Sequence, residues 1–423
     1  MPKKKKEKYT WAIGKPLPNL DEHSQAKHRI ISDYIQRYVE VYMSNTSIEG
    51  LRLSIVDGFS GGGKYRDILT NETVDGSPFV ILNAIKEVEE RINKDRIKRR
   101  SIDAHYFFID CIKQHTEFLK NEIQQSAFKK ELDENIFLHT DIFARAAPAV
   151  IDKIHKRNKA QRCLFILDQY AYKDVPFNTV HYILEKLKGS EVILTFNVNA
   201  LMNYFSEFDA NRKALENIHL DQYIDWKRVA ALKEAGKGRA AVQEQLANAI
   251  YRASGAKHIT LFFVTPKSGL TYWLVHLSKV YRARDVMMSL HWKHSNSSFS
   301  HHMAEGIFSL GYTATETPGQ SSFDLVTEFD FSTDAETRCI RRLSEDIPRH
   351  IFNLNEPIPF SFLVDQIGSY TPAAENQIRK ALTSGLKNKE LKILSSSGKY
   401  LNSANQAKAG DLISYNQKSI FVL

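Results

Sequence analysis

Leu51 to Tyr65 read LRLSIVDGFSGGGKY, an apolar run that ends on Asp57 and opens into a turn with three consecutive glycines. Glycine permits backbone conformations and close approaches that a Cβ forbids, so a turn of this kind after a buried strand reads as a loop that wraps a ligand. The pattern D-x-F-x-G-x-G over Asp57, Phe59, Gly61 and Gly63 differs from the G-x-G-x-x-G fingerprint of dinucleotide sites. It points instead to a smaller nucleoside cofactor.

On either side of this turn the chain alternates two patterns. Leu51–Val56, His105–Ile109, Ile136–His139, Cys163–Leu167 and Glu191–Phe196 are short, apolar and unalternating, as strands buried on both faces must be. Helical spacing covers Ser24–Met43, Phe79–Arg96, Lys113–Gln124, Ala146–Lys156 and Val180–Lys188. Strand following helix in this way predicts an α/β fold with a doubly wound, Rossmann-like sheet. His258–Val264 and Leu270–Leu277 supply later strands, giving a sheet of about seven.

The chain divides by character into a basic flexible tail (residues 1–23), an α/β domain (24–295) with a helical insertion (200–256), a connector (296–337) and a C-terminal module (338–423). The last stretch reads as three helices followed by a β-ribbon, a winged-helix pattern, with Thr371-Pro372 opening the third helix. That helix carries Arg379, Lys380 and Lys387, candidate contacts to a nucleic-acid backbone. Across all 423 residues Lys and Arg outnumber Asp and Glu by 58 to 49, a net charge of +9 that favours a polyanionic partner. Lys3 to Lys6 read as a solvated tail.

Cys111, Cys163 and Cys339 are far apart, which excludes a disulfide framework and a zinc-spaced cluster and fits a reducing cytoplasm. No metal site is expected. No leader pattern and no apolar run of bilayer length is present, so neither export nor membrane insertion is expected. His301-His302 has no carboxylate at metal-ligand spacing, and no nuclease constellation is found.

Acidic residues close the apolar runs. Asp110 ends the second strand in AHYFFID, where a carboxylate can accept both hydroxyls of a ribose or can cap a helix. Asp141 follows the third in LHTDIF, within reach of an adenine amino group. After the fourth comes Asp168-Gln169-Tyr170-Ala171; a carboxylate beside an aromatic ring suits a flipped base, accepting from its amine while the ring stacks on it. Asn197 and Asn199 end the fifth strand and line the same crevice, while Lys27 and His28 stand on the helix before the first strand.

The ordered series AKHRIISDYI, VDGFSGGGKY, GSPFVILNAI, FFID, HTDIF and FILDQYA resembles the three-Cys-motif partner proteins, the TcmP family, over residues 20–295. The layout is also similar, remotely, to the ribosomal-RNA adenine-N6 methyltransferases of the RlmJ type. These resemblances imply a methyltransferase fold and S-adenosylmethionine as cofactor. Lys27, His28, Asp57, Phe59, Gly61, Gly63, Asp110 and Asp141 would belong to the cofactor site, and Asp168 and Tyr170 would be catalytic. Amino-methylating relatives carry Asp-Pro-Pro-Tyr or Asp-Pro-Tyr-Gly at this point; here Gln169 replaces proline and Ala171 replaces glycine. Two readings therefore stand: a methyltransferase acting on an exocyclic amine of a nucleic-acid base, or a catalytically silent subunit that binds nucleic acid or a three-Cys-motif protein within a bacterial or phage defence system.

Overall fold

A computed structural model describes residues 9–157, 161–169, 174–196, 209–234, 238–266, 272–294, 299–302 and 331–416. Asn197, Asn199, Tyr170 and Ala171 lie outside them.

The apolar runs form the strands β1 (Gly50–Asp57), β2 (Ser101–Asp110), β3 (Ile136–Thr140), β4 (Cys163–Asp168), β5 (Ser190–Phe196), β6 (His258–Pro266) and β7 (Tyr272–Ser278) of one mixed sheet, to which the short Phe299–His302 adds an eighth strand. Six of these strands follow the order 3-2-1-4-5-7. β3, β2, β1, β4 and β5 are parallel and β7 runs antiparallel to β5. The chain winds outward from β1 in both directions, so the order reverses between β1 and β4. In open α/β sheets that reversal opens a crevice at the carboxyl ends of the strands. Leu53, Ile55, Val56, Phe165 and Ile166 are almost fully buried, which explains the absence of a polar alternation in β1 and β4.

Helices α1 (Glu22–Tyr42), α2 (Ser77–Ile92), α3 (Lys113–Gln124), α4 (Phe143–Arg157) and α5 (Phe177–Lys186) accompany the strands. Their apolar faces set their positions: Ile30, Ile31, Tyr34, Ile35, Tyr38 and Val39 of α1 are all buried. Pro78 sits in the first turn of α2, where its missing N–H costs nothing. The expected insertion contains the helices Asp209–Glu216, Trp226–Glu234 and Gly238–Ser254.

The segment from Tyr9 to Leu20 departs from its reading as part of a flexible tail. Asn19–Leu20 pairs in parallel with Arg66–Asp67, and Trp11 is 4% exposed. An indole finds enough apolar surface on the glycine turn to order a segment whose charges suggest only solvation.

The chain divides into two compact units. The first comprises residues Met1–Tyr223, Ile250–Ala256 and Thr265–Lys279; the second comprises Ile224–Ala249, Lys257–Val264 and Val280–Leu423. The second unit contains a winged helix-turn-helix: helices Thr333–Leu354, Phe360–Ile367 and Glu375–Lys387, then strands Leu391–Leu394 and Leu412–Tyr415 paired antiparallel. Its first helix begins at Thr333, inside the expected connector, where Ser332 caps it by accepting from the Ala335 N–H. The turn before Glu375 is held from helix Tyr281–His294. The buried Arg284 donates to the Thr371 and Ala373 carbonyls at 2.5 Å each, and the Trp292 indole donates to the Pro372 carbonyl at 2.9 Å.

Candidate functional site

The first unit brings Lys27, His28, Asp57, Asp110 and Asp168 to the carboxyl ends of β1, β2 and β4. The glycine turn is tied to the end of β2: the Ser60 N–H donates to the Ile109 carbonyl at 2.9 Å and the Gly61 N–H to Asp110 Oδ2 at 3.1 Å. Gly61 and Gly63 have φ of 57° and 79°, in the left-handed region that a Cβ disfavours. Asp110 Oδ1 accepts from the Ile112 N–H at 2.8 Å and faces His115 Nδ1 at 3.1 Å. Its carboxylate thus ties the turn to the start of α3.

The turn also meets a neighbour that its sequence does not reveal. A Cβ on Gly62 would lie 2.3 Å from Trp11 Cγ, and one on Gly61 would lie 2.7 Å from the same indole. Trp11 Nε1 donates to the Lys64 carbonyl at 2.5 Å, and the ring stands edge-on to Tyr65 and His115. Part of the glycine requirement therefore comes from this packing.

Asp57 is fully buried. Its Oδ1 accepts from the Phe59 N–H at 3.1 Å, while Oδ2 has no hydrogen-bond partner among the described residues. Burial pushes this carboxyl up to about 7; the nearby Ser77 hydroxyl and the Phe59 N–H oppose the rise, and the charges of Asp168 and Asp110 add to it. Phe59 is half-buried with its ring 6.1 Å from that of Phe143.

Asp168, at the end of β4, has the opposite environment. Lys27 Nζ donates to Oδ1 at 2.7 Å and to Oδ2 at 2.5 Å, and the lysine side chain is 7% exposed. Burial alone would raise the Asp168 carboxyl. The charge and hydrogen bonds of Lys27, with His28 and Thr195, outweigh burial and hold the carboxyl below the usual carboxylate range. His28 is driven down to about 4 by burial and then by the adjacent Lys27 charge, so near neutral pH it is an uncharged imidazole. Its ring lies 6.5 Å from that of Tyr65.

Gln169 is buried. Its Oε1 accepts from the Val175 N–H at 3.1 Å, and its Nε2 is buried without a partner among the described residues. Asp141 takes its partners from its own neighbours in the chain. It pairs with Arg145 one turn along α4 and accepts from the Ile142 N–H at 2.7 Å, and the Arg145 hydrogen bond holds its carboxyl low.

In the second unit, Arg379 is committed inside the winged helix. It donates to the Ala404 carbonyl at 2.5 Å and the Ala407 carbonyl at 3.0 Å, and its guanidinium lies 4.2 Å from the Phe360 ring centre. Lys380 pairs with Glu336 at 2.8 Å. Lys387 is exposed and lines a concavity of about 470 Å³ with Lys389, Lys392, Tyr400 and Asn402. Lys392 belongs to the strand Leu391–Leu394, signalled by its alternation with buried Leu391 and Ile393, and Tyr400 meets the end of that strand through a single bridge to Leu394.

Among the described residues no group of three or more His, Cys, Asp or Glu side chains could hold a metal, and no helix is long and apolar enough to cross a membrane.

A family model described as a GMT-like wHTH domain matches residues 311–398. Curated proteins yield no match. Among solved structures, protein LPL1258 of Legionella pneumophila is 11% identical, with 65% of this chain and 95% of that one covered, at a TM-score of 0.37. The METTL16 methyltransferase domain is 12% identical over 58% of this chain and 66% of its own, at 0.26. A human methyltransferase 10 domain containing protein is 10% identical over 58% and 82%, at 0.26. These neighbours contribute no residue role at such identities and scores. The strand order and the antiparallel β7 describe a Rossmann-like, methyltransferase-type sheet, followed by a C-terminal winged helix.

Proposed function

We propose that the chain is an S-adenosylmethionine-dependent methyltransferase acting on nucleic acid, with an exocyclic amine of a base as acceptor. The observation that carries this reading is the meeting of Asp57, Asp110 and the Lys27–Asp168 pair around the point where the strand order reverses.

The residues present fit the cofactor. Asp57 Oδ2 is a buried acceptor without a donor among the described residues, and the Asp110 carboxylate sits beside the Gly61 amide at the end of β2. Asp57, Phe59, Gly61 and Gly63 would hold the methionine and ribose end and Asp110 the ribose hydroxyls, with Asp141 near the adenine once its pairing with Arg145 is exchanged. When bound, the cofactor supplies an electrophilic methyl group on a sulfonium.

The chain's own contribution is positioning. Lys27 holds Asp168 ionised and fixes both of its oxygens, leaving the outer lone pairs of a carboxylate to accept from an amine N–H. Tyr170 would stack on the base. Gln169 accepts from the Val175 N–H, a tie that does not depend on a proline ring. The winged helix would engage the phosphate backbone through Lys387, Lys389 and Lys392, while Arg379 serves its own domain.

A second reading, the silent partner subunit of a defence system with a three-Cys-motif protein as partner, is favoured by the pairing of Asp168 with Lys27, which already gives each carboxylate oxygen a donor. Calorimetric titration of the full chain with S-adenosylmethionine, compared with Gly61→Val, tests the cofactor site; no saturable binding by the wild type overturns both the cofactor and the enzyme. Transfer of a tritiated methyl group to total RNA, DNA or protein, with Asp168→Ala as control, identifies the acceptor. Binding without label above that control assigns the chain to the silent reading.

A further inference from the structure

The amino end of β2, opposite the candidate site, faces a separate cavity of about 360 Å³. Leu82, Ile85 and Phe128 supply apolar wall, and Tyr106, Glu89 and Glu131 supply its polar atoms. Tyr106 is 3% exposed, and its hydroxyl has no hydrogen-bond partner among the described residues. Tyr106 lines the cavity, and a phenol hydroxyl can donate to or accept from a group placed there.

The carboxylates are also incompletely used. Glu89 Oε1 accepts from the Ile102 N–H at 3.0 Å, while the Glu131 carboxylate makes no ion pair or hydrogen bond among the described residues. Asp103, on the same rim, is neutralised by Arg52 and Arg157. Lys86 is exposed and pairs with neither glutamate among the described residues. Burial, followed by the charge of Glu89, raises the Glu131 carboxyl, as expected of an acid beside another acid.

We propose that this cavity is a second ligand site that takes a small organic cation, an ammonium or amidinium on an apolar body, with the charged head between Glu89 and Glu131 and the body against Leu82, Ile85 and Phe128. The cation supplies the counter-charge that the acids lack, and the Tyr106 hydroxyl orients the head. The site is independent of the proposed methyl transfer: its residues lie on α2, the start of β2 and the segment before β3, and none of them belongs to the cluster around Asp57 and Asp168.

Calorimetric titration of the full chain with phenethylamine tests the proposal, with phenethyl alcohol as its uncharged isostere. The expected result is saturable one-site binding of the amine. Phenethyl alcohol and the Glu131→Gln variant should each bind about tenfold more weakly, and Tyr106→Phe about fivefold more weakly. Asp168→Asn should bind as the wild type does, since a cation captured by the acids of the candidate site would respond to that change. No saturable binding, equal binding of amine and alcohol, an undiminished Glu131→Gln, or a loss in Asp168→Asn overturns the site.

Discussion

Asp57 and Asp168 end neighbouring parallel strands and face one crevice, yet their electrostatics are opposed. Asp57 is buried with one oxygen unpartnered, and its carboxyl rises to about 7; Asp168 is gripped by a lysine through both oxygens and stays ionised. Burial acts on both in the same direction. What separates them is chiefly a cation brought from α1, 141 residues away in sequence, assisted by His28 and Thr195. A strand-end carboxylate is therefore only a potential site, and the partner that decides its charge need not lie near it in the chain.

Removing that cation should have the largest effect. Lys27→Met leaves Asp168, whose side chain is 30% exposed, without its partner, and losing a charged, hydrogen-bonded pair of which just one side is buried costs about 1–3 kcal/mol. Adding Asp168→Asn to Lys27→Met should recover most of the loss, a coupling that urea denaturation of the four proteins measures. The depressed carboxyl sets the pH window: the stability contributed by Asp168 is present above the usual carboxylate range and is lost as pH falls through its lower folded value. The cost of Lys27→Met should thus shrink in acid. An additive double variant, or a cost independent of pH, would show the pair to be a surface contact of little weight.

Asp57→Asn comes next and works in the opposite sense. The folded-state carboxyl lies above its unfolded value, so between the usual carboxylate range and about 7 the native protein holds a proton that the unfolded chain has released. Stability attached to Asp57 is therefore full in acid and is lost as pH rises through about 7. An amide does not titrate, so Asp57→Asn should gain on the wild type by a few kcal/mol between mildly acidic and mildly alkaline pH. Paired denaturation curves across that window read the difference. A constant offset would mean that Asp57 finds a donor and stays ionised.

The strands, the helices and the three strand-end acids were legible in the sequence because each leaves a local mark. β1 is apolar on both faces because it is covered on both, and α3 occupies Lys113–Gln124 as its spacing predicts. The Lys27–Asp168 pair left a fainter mark: Lys27 stands on the same stripe of α1 as Ile30, Ile31 and Tyr34, and a lysine on a buried stripe implies an acid to meet it. Arg379 gave no such warning. It reads as a recognition-helix cation, and only the later carbonyls of Ala404 and Ala407, which fold back on it, show that it is occupied. Trp11 was illegible for a similar reason, because its place on the turn depends on a contact across 53 residues.

The smallest expected effect tests what the glycine turn beside Asp57 is for. Gly62→Ala places a Cβ 2.3 Å from Trp11 Cγ and 2.7 Å from Trp11 Cβ, atoms near that residue's backbone that cannot swing aside. Overpacking of this kind costs about 1–3 kcal/mol. If packing is the whole reason for the glycine, the same substitution made in Trp11→Ala should cost almost nothing, because the obstructing indole is gone. Cofactor binding in that double variant would match Trp11→Ala alone. If the turn must also admit a ligand against its backbone, denaturation will show the stability cost relieved while calorimetry shows the S-adenosylmethionine affinity still reduced by the methyl group. Equal stability costs with and without Trp11 would remove the indole from the account and leave the glycine to the ligand.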